Sequence, residues 1–167
     1  LGPSRDQSIF EKMMENKTSL KSCDFILCTG LFDEHDKDLD YYKDLLKNYI
    51  SKKFICTNPD LTVHRGDVEE LCAGALAKTF ETLGGEVVYY GKPYKEIYEM
   101  CFDTKEKVLA IGDNLRTDIK GANNLNIDSL FIYNGVHKNE IKNDEDLPAL
   151  LKRYNVKTNF FQKELKW

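Results

Sequence analysis

Apolar and polar positions along the 167-residue chain switch repeatedly between short continuous runs and helical spacing, and that switching predicts its elements. "SIFEKMMENK" (8–17) places Ile9, Phe10, Met13 and Met14 on one side of a short amphipathic helix. "CDFILCTGL" (23–31) is a continuous apolar run ending at Thr29-Gly30, the mark of a buried strand. After the acidic loop "FDEHDKD", residues Leu39, Tyr42, Leu45, Leu46 and Tyr49 recur at helical period, with lysines at the end. "FICTNPDLTVHRG" (54–66) begins as a strand and breaks into a turn at Asn58-Pro59-Asp60. "EELCAGALAKTFETLGG" predicts a helix of small residues closed by Gly84-Gly85, and "EVVYYGKP" a strand that stops at Gly91. Then come a helix over 94–103, a strand in "KVLAIGD", a helix in "TDIKGANNLN" and a strand in "DSLFIYNG". The tail, about 140–167, predicts one helix around "DLPALLKRY" and a less regular end.

Strands alternating with helices at this spacing make βαβ units, hence an α/β fold with a parallel sheet. Such a sheet binds ligands beyond the carboxyl ends of its strands. Three of those ends carry unusual residues: "TNPD", "GKP" and "GD". Composition narrows the classes further. A net charge of −4 and a pI near 5.5 exclude a general nucleic-acid binder, whose phosphate contacts need a basic face. No apolar stretch approaches the roughly 20 residues that span a bilayer, and the first residues have no signal-peptide core, so no membrane partner is expected. The five cysteines, Cys23, Cys28, Cys56, Cys72 and Cys101, form no C-x-x-C pair. They read as small buried hydrophobes in a reducing, cytoplasmic setting.

In "GDNLRTD", Gly112 lets the backbone turn at a strand end, Asp113 projects over the sheet edge, and Asp118 falls in the first turn of the next helix. Two carboxylates in one cleft suit a hard cation, most simply Mg²⁺, which neutralises phosphate oxygens during phosphoryl transfer. The same spacing equally suits a turn-forming Asp113 and a helix-start Asp118. "GKP" adds Lys92 at another strand end, with Pro93 opening the next helix. The order strand–GKP–helix–strand–GD-x₄-D–helix is far more specific than any of its parts.

That order resembles the haloacid dehalogenase (HAD) superfamily of phosphohydrolases, and within it class IIA, the NagD-like branch with a large α/β cap. "ICTNPD" is similar to the cap segment of that branch, "GGEVVYYGKPYKEIY" to the return to the core with the third motif, and "AIGDNLRTDIKGA" to the fourth. The resemblance implies a HAD-like Rossmannoid parallel sheet, with 1–91 as the α/β cap portion and 92–167 as the C-terminal part of the core. It implies that Lys92 stabilises the phosphoryl group, that Asp113 ligates Mg²⁺, and that Asp118 supports the metal directly or through water. Asn58 and Asp60 would lie on the cap loop that selects a phosphorylated small molecule. His64 and Arg65 match no motif and read as surface residues.

The family's first motif, D-x-D-G, is absent from the sequence, and "DLD" (38–40) opens a polar helix instead of ending a strand. The chain is therefore expected to be a C-terminal portion of such an enzyme, without the aspartate that attacks phosphorus. By itself it is expected to be inactive. The alternatives are a non-catalytic remnant or binding module, or half of a split phosphatase completed in trans. In the family's strand order, the strand Val108 to Ile111 would have one edge unpaired, open to an N-terminal half or a second copy. The one apolar segment able to cover it is the tail with Phe160, Phe161, Leu165 and Trp167.

Overall fold

Short, mostly apolar runs of three to five residues become the parallel strands of the fold. In the computed structural model, which describes residues 1–66, 68–103 and 105–166, the chain forms two compact units, Leu1–Tyr90 and Gly91–Trp167.

In the first unit, β1 (Phe25–Cys28), β2 (Lys53–Cys56) and β5 (Val87–Tyr89) form a parallel sheet in the order β1-β2-β5, with Cys28 opposite Cys56 and Cys56 opposite Tyr89. Alternate residues Ile26, Cys28, Phe54 and Cys56 point into the core. There they meet Tyr42 and Leu46 of α1 (Leu39–Leu46) and Leu76, Ala77 and Phe80 of α2 (Ala73–Thr82). The rings of Phe54 and Phe80 stack at 4.9 Å, and each buried aromatic of this kind contributes about 1.5–3 kcal/mol of hydrophobic burial. The small residues of α2 serve close approach: a Cβ on Gly74 would lie 2.2 Å from the Pro59 carbonyl oxygen, so the Asn58–Asp60 loop rests on the start of this helix.

Three sequence expectations change here. Residues Ser4–Asn16 wind as a 3-10 helix broken at Phe10, not as an amphipathic α-helix, and none of them is buried. Three residues per turn spread Ile9, Met13 and Met14 round the axis, and all three are exposed. The chain leaves β2 at the expected Asn58–Asp60 turn, but an unexpected hairpin follows, β3 (Thr62–Arg65) with β4 (Val68–Leu71), and α2 starts at Ala73 because Glu69 to Leu71 are drawn into β4. The hairpin is polar on both faces and joined by charge pairs such as Arg65 with Glu70 at 3.0 Å, so it left no period-2 signal.

In the second unit, β6 (Leu109–Gly112), β7 (Asp128–Ile132) and β8 (Phe160–Gln162) form a parallel sheet in that order. The short helix α3 (Lys95–Glu99) precedes β6, and α4 (Lys120–Leu125) joins β6 to β7. The core gathers Leu115, Ile119, Phe131, Leu147 and Leu150. The last two lie on α5 (Leu147–Tyr154), which is led in by a capping box between Asn143 and Asp146. The irregular end expected after α5 contains β8, which pairs with β7 through Leu130↔Phe160 and Phe131↔Phe161. The tail therefore does not cover β6, whose only strand partner among the described residues is β7. Trp167, counted with that segment, lies outside the described residues. No helix among the described residues is long and apolar enough to cross a membrane.

Candidate active site

Gly112 ends β6, and the backbone turns over a five-residue π-helical stretch, Leu115–Ile119, in which Ile119 N–H reaches back to the Asn114 carbonyl. Asn114 caps it, its side chain accepting from Arg116 N–H at 2.9 Å. This wide turn carries Asp118 back over the strand end. The Asp118 side chain is nearly buried, and its Oδ2 accepts the backbone N–H groups of Asp113 and Asn114, each at 3.1 Å. Its Oδ1 meets Lys92 Nζ at 2.5 Å. One carboxylate thus ties together the loop that bears Asp113 and the lysine that follows β5.

Two glycines make room for this. A Cβ on Gly112 would lie 2.2 Å from the Cβ and Cγ of Asp118, and one on Gly135 would lie 1.9 Å from Asp113 Oδ2. That oxygen accepts Val136 N–H at 3.0 Å, so Asp113 is oriented from the end of β7, while its Oδ1 accepts no hydrogen bond among the described residues. Lys92 is half-exposed at 48%, beside a cis peptide to Pro93, and Asn124 of α4 holds this segment by donating to the Pro93 carbonyl at 3.2 Å. The Tyr98 hydroxyl is buried close to Gly121 without a hydrogen-bond partner among the described residues. Burial, reinforced by the Asp118 carboxylate, pushes this phenol above its ordinary value and keeps it neutral.

The structure therefore brings Lys92, Asp113 and Asp118 into one constellation inside the second unit. Asn58 and Asp60 belong to the first unit. There Asn58 Oδ1 accepts Asp60 N–H at 3.1 Å, and both residues line a cavity of about 350 Å³ beyond the ends of β1 and β2. Arg65 is an exposed ion-paired residue, as expected of a surface position. His64 is more enclosed, its side chain 21% exposed and its Nδ1 buried without a partner among the described residues.

Among the described residues no group of three His, Cys, Asp or Glu side chains is arranged to hold a metal ion. The donor set here is a pair. Mg²⁺ commonly takes only one or two protein carboxylates and keeps waters or phosphate oxygens elsewhere, so the pair fits it. Asp113, with an uncommitted oxygen, suits direct ligation, and Asp118, saturated by two N–H groups and an ammonium, suits support through water.

One residue that carries no motif completes the loop. His137 is 2% exposed, and its Nε2 accepts the N–H of Leu115 at 3.1 Å while its Nδ1 meets Glu140 Oε1 at 2.5 Å. Glu140 is also engaged by Arg153 and by the Tyr154 hydroxyl. The only signal in the sequence was a histidine two residues past a strand-end glycine.

Residues 89–154 match the family model described as HAD-hydrolase-like. Ribonucleotide monophosphatase NagD of Escherichia coli K12 is 33% identical over 89 residues, which cover 50% of this chain and 34% of that protein. Among solved structures, a haloacid dehalogenase-like hydrolase from Brucella suis 1330 superposes with a TM-score of 0.81 at 29% identity, over 99% of this chain and 64% of that one. The p-nitrophenyl phosphatase of Archaeoglobus fulgidus shares the fold at a TM-score of 0.63 and 16% identity, over 88% of this chain and 56% of that one. The chain thus spans less than two thirds of the length of these relatives. Fold, loop sequence and relatives together show that the chain is similar to class IIA proteins of the haloacid dehalogenase superfamily.

Proposed function

We propose that these residues form the phosphate- and metal-side part of a Mg²⁺-dependent phosphatase site. The observation that carries the reading is the Lys92–Asp118 pair at 2.5 Å, with the same Asp118 holding the loop of Asp113. An ammonium held beside two carboxylates meets the needs of a phosphoryl group, whose oxygens require a cation and a metal together. Lys92 binds and orients a phosphate oxygen, Asp113 holds the metal side, and Asp118 keeps both in place. Mg²⁺, when bound, supplies charge neutralisation on the phosphate.

The attacking aspartate is not among the 167 residues, which contain no D-x-D-G. We assign it to a further segment, in the same or another chain, that joins the open side of β6. The exposure of Leu109 (45%) and Ile111 (39%) supports this, because the parallel strands of such sheets are ordinarily covered. In this reading 1–91 is the cap and 92–167 the C-terminal part of the core. Asn58 and Asp60 select a phosphorylated small molecule, and the five free cysteines accord with a cytoplasmic setting. The second reading, a non-catalytic remnant or binding module, rests on the same missing motif.

Turnover of an aryl phosphate with Mg²⁺ tests this. The chain alone is expected to give none. Adding a D-x-D-G-bearing core segment from a class IIA relative is expected to give turnover that Lys92→Ala abolishes. Turnover by the chain alone that disappears in Asp113→Asn would place the nucleophile inside these residues. Failure of the added segment, with no response of the Asp113 loop to Mg²⁺, would favour the remnant.

A further inference from the structure

We infer that His137 is a positioning residue for Asp113, acting as a hydrogen-bond acceptor fixed in one tautomer by Glu140. Two bonds join the turn after β7 to the turn after β6: Val136 N–H to Asp113 Oδ2 at 3.0 Å, and Leu115 N–H to His137 Nε2 at 3.1 Å. They run in opposite directions, from Val136 to Asp113 and from Leu115 back to His137, so they hold the two turns as a clamp, and the clamped group is the Asp113 carboxylate. Leu115 begins the π-helical stretch, where its N–H has no partner within the helix, and His137 supplies one.

A backbone N–H aimed at Nε2 requires that nitrogen to be unprotonated, which places the ring proton on Nδ1. Glu140 receives that proton's hydrogen bond at 2.5 Å and is itself held by Arg153 and Tyr154. The ring is boxed edge-on by Phe131 at 6.0 Å and Tyr154 at 4.8 Å, so it has no room to flip. Neither ring nitrogen is left over for substrate. A carboxylate fixing a histidine that in turn orients a ligand loop is the outer layer that metal sites depend on.

The inference rests on the proposed role of Asp113, and its test separates the two. Nitrogen-15 spectra of the metal-free chain are expected to show the Nδ1–H tautomer, and Mg²⁺ titration to shift the amides of Gly112 to Asp118. His137→Phe, which fills the ring's space but accepts nothing, is expected to stay folded and weaken Mg²⁺ binding at least tenfold. His137→Gln, whose side-chain oxygen reaches the place of Nε2, is expected to recover most of that loss. An Nε2–H tautomer, or wild-type Mg²⁺ affinity in a folded His137→Phe, would overturn the inference. So would equal losses in both variants. If the phenylalanine variant does not fold, the tautomer and the glutamine variant decide. No response to Mg²⁺ in the wild-type chain would instead overturn the reading of Asp113, leaving the tautomer to report on the clamp.

Discussion

Lys92 and Asp118 share one ion pair but carry different burdens. Lys92 is half-exposed, so its loss costs less than about 1 kcal/mol of stability, as for other solvent-screened pairs. Asp118 is nearly buried and accepts two backbone N–H groups, each of which costs about 1–3 kcal/mol if left unpaired. Denaturant titration is therefore expected to show Lys92→Ala near wild type and Asp118→Ala destabilised by at least about 2 kcal/mol. Equal losses would mean that the lysine is there for structure. Glu140 yields a pH prediction. Partial burial pushes its carboxyl up, but hydrogen bonds from His137 and Tyr154 and the charge of Arg153 outweigh this and leave it below its ordinary value. A carboxyl depressed in the folded state stabilises above its unfolded value, near 4.5, and that contribution is lost as pH falls through the lower folded value. Glu140→Gln should cost about 1–2 kcal/mol at pH 7, the smaller figure allowing for solvent screening. The difference between the two proteins should shrink below about pH 4.5 in urea melts at several pH values. A gap independent of pH would mean that the charge of Glu140 contributes nothing.

Among the elements, β6 departs furthest from its sequence. Val108 to Ile111 is apolar and reads as a buried strand, yet Leu109 and Ile111 are exposed and, among the described residues, the strand pairs on one side only. Lysine at Leu109 is expected to cost less than about 1 kcal/mol, as for a surface site, and to block completion by an added core segment. Phe131→Ala on the central strand β7, where the ring is fully buried, is expected to cost about 3–5 kcal/mol. A large loss from Leu109→Lys in the isolated chain would show that the strand is covered. The contrast with β8 is instructive. Its apolar pair Phe160-Phe161 has the composition to cover β6, but β7 offers a second free edge, and the tail adds there.

For the molecule as a whole, each unit has its own core. Among the described residues the buried cluster of the first unit has eleven members and that of the second has seven. The first sheet is packed under α1 and α2, whereas the second leaves β6 open. Residues 1–90 expressed alone are expected to melt cooperatively as a monomer, since a single core of this size suffices for a small domain. Residues 91–167 alone are expected to self-associate or melt at lower temperature. Light scattering and thermal melts of the two fragments check this, and a monomeric, stable second fragment would count against an open edge that needs a partner.

What the sequence determined by itself is local. Runs such as "FILC" and "DSLFI" specify strands because the apolar pattern and the β-propensity lie within the run. The GKP and GD-x₄-D loops announced the site because glycine beside a charged residue at a strand end is legible without knowing the fold. Tertiary structure decided everything that depends on partners distant along the chain. Asp118 meets Lys92 26 positions away and Leu115 meets His137 22 positions away, and neither pairing leaves a local period. The same holds for β8, a three-residue strand whose place was set by the free edge of β7, and for β3 and β4, held by charge pairs instead of an apolar face. Burial is a property of what lies opposite a residue. The sequence names the residue, and only the fold supplies its neighbour.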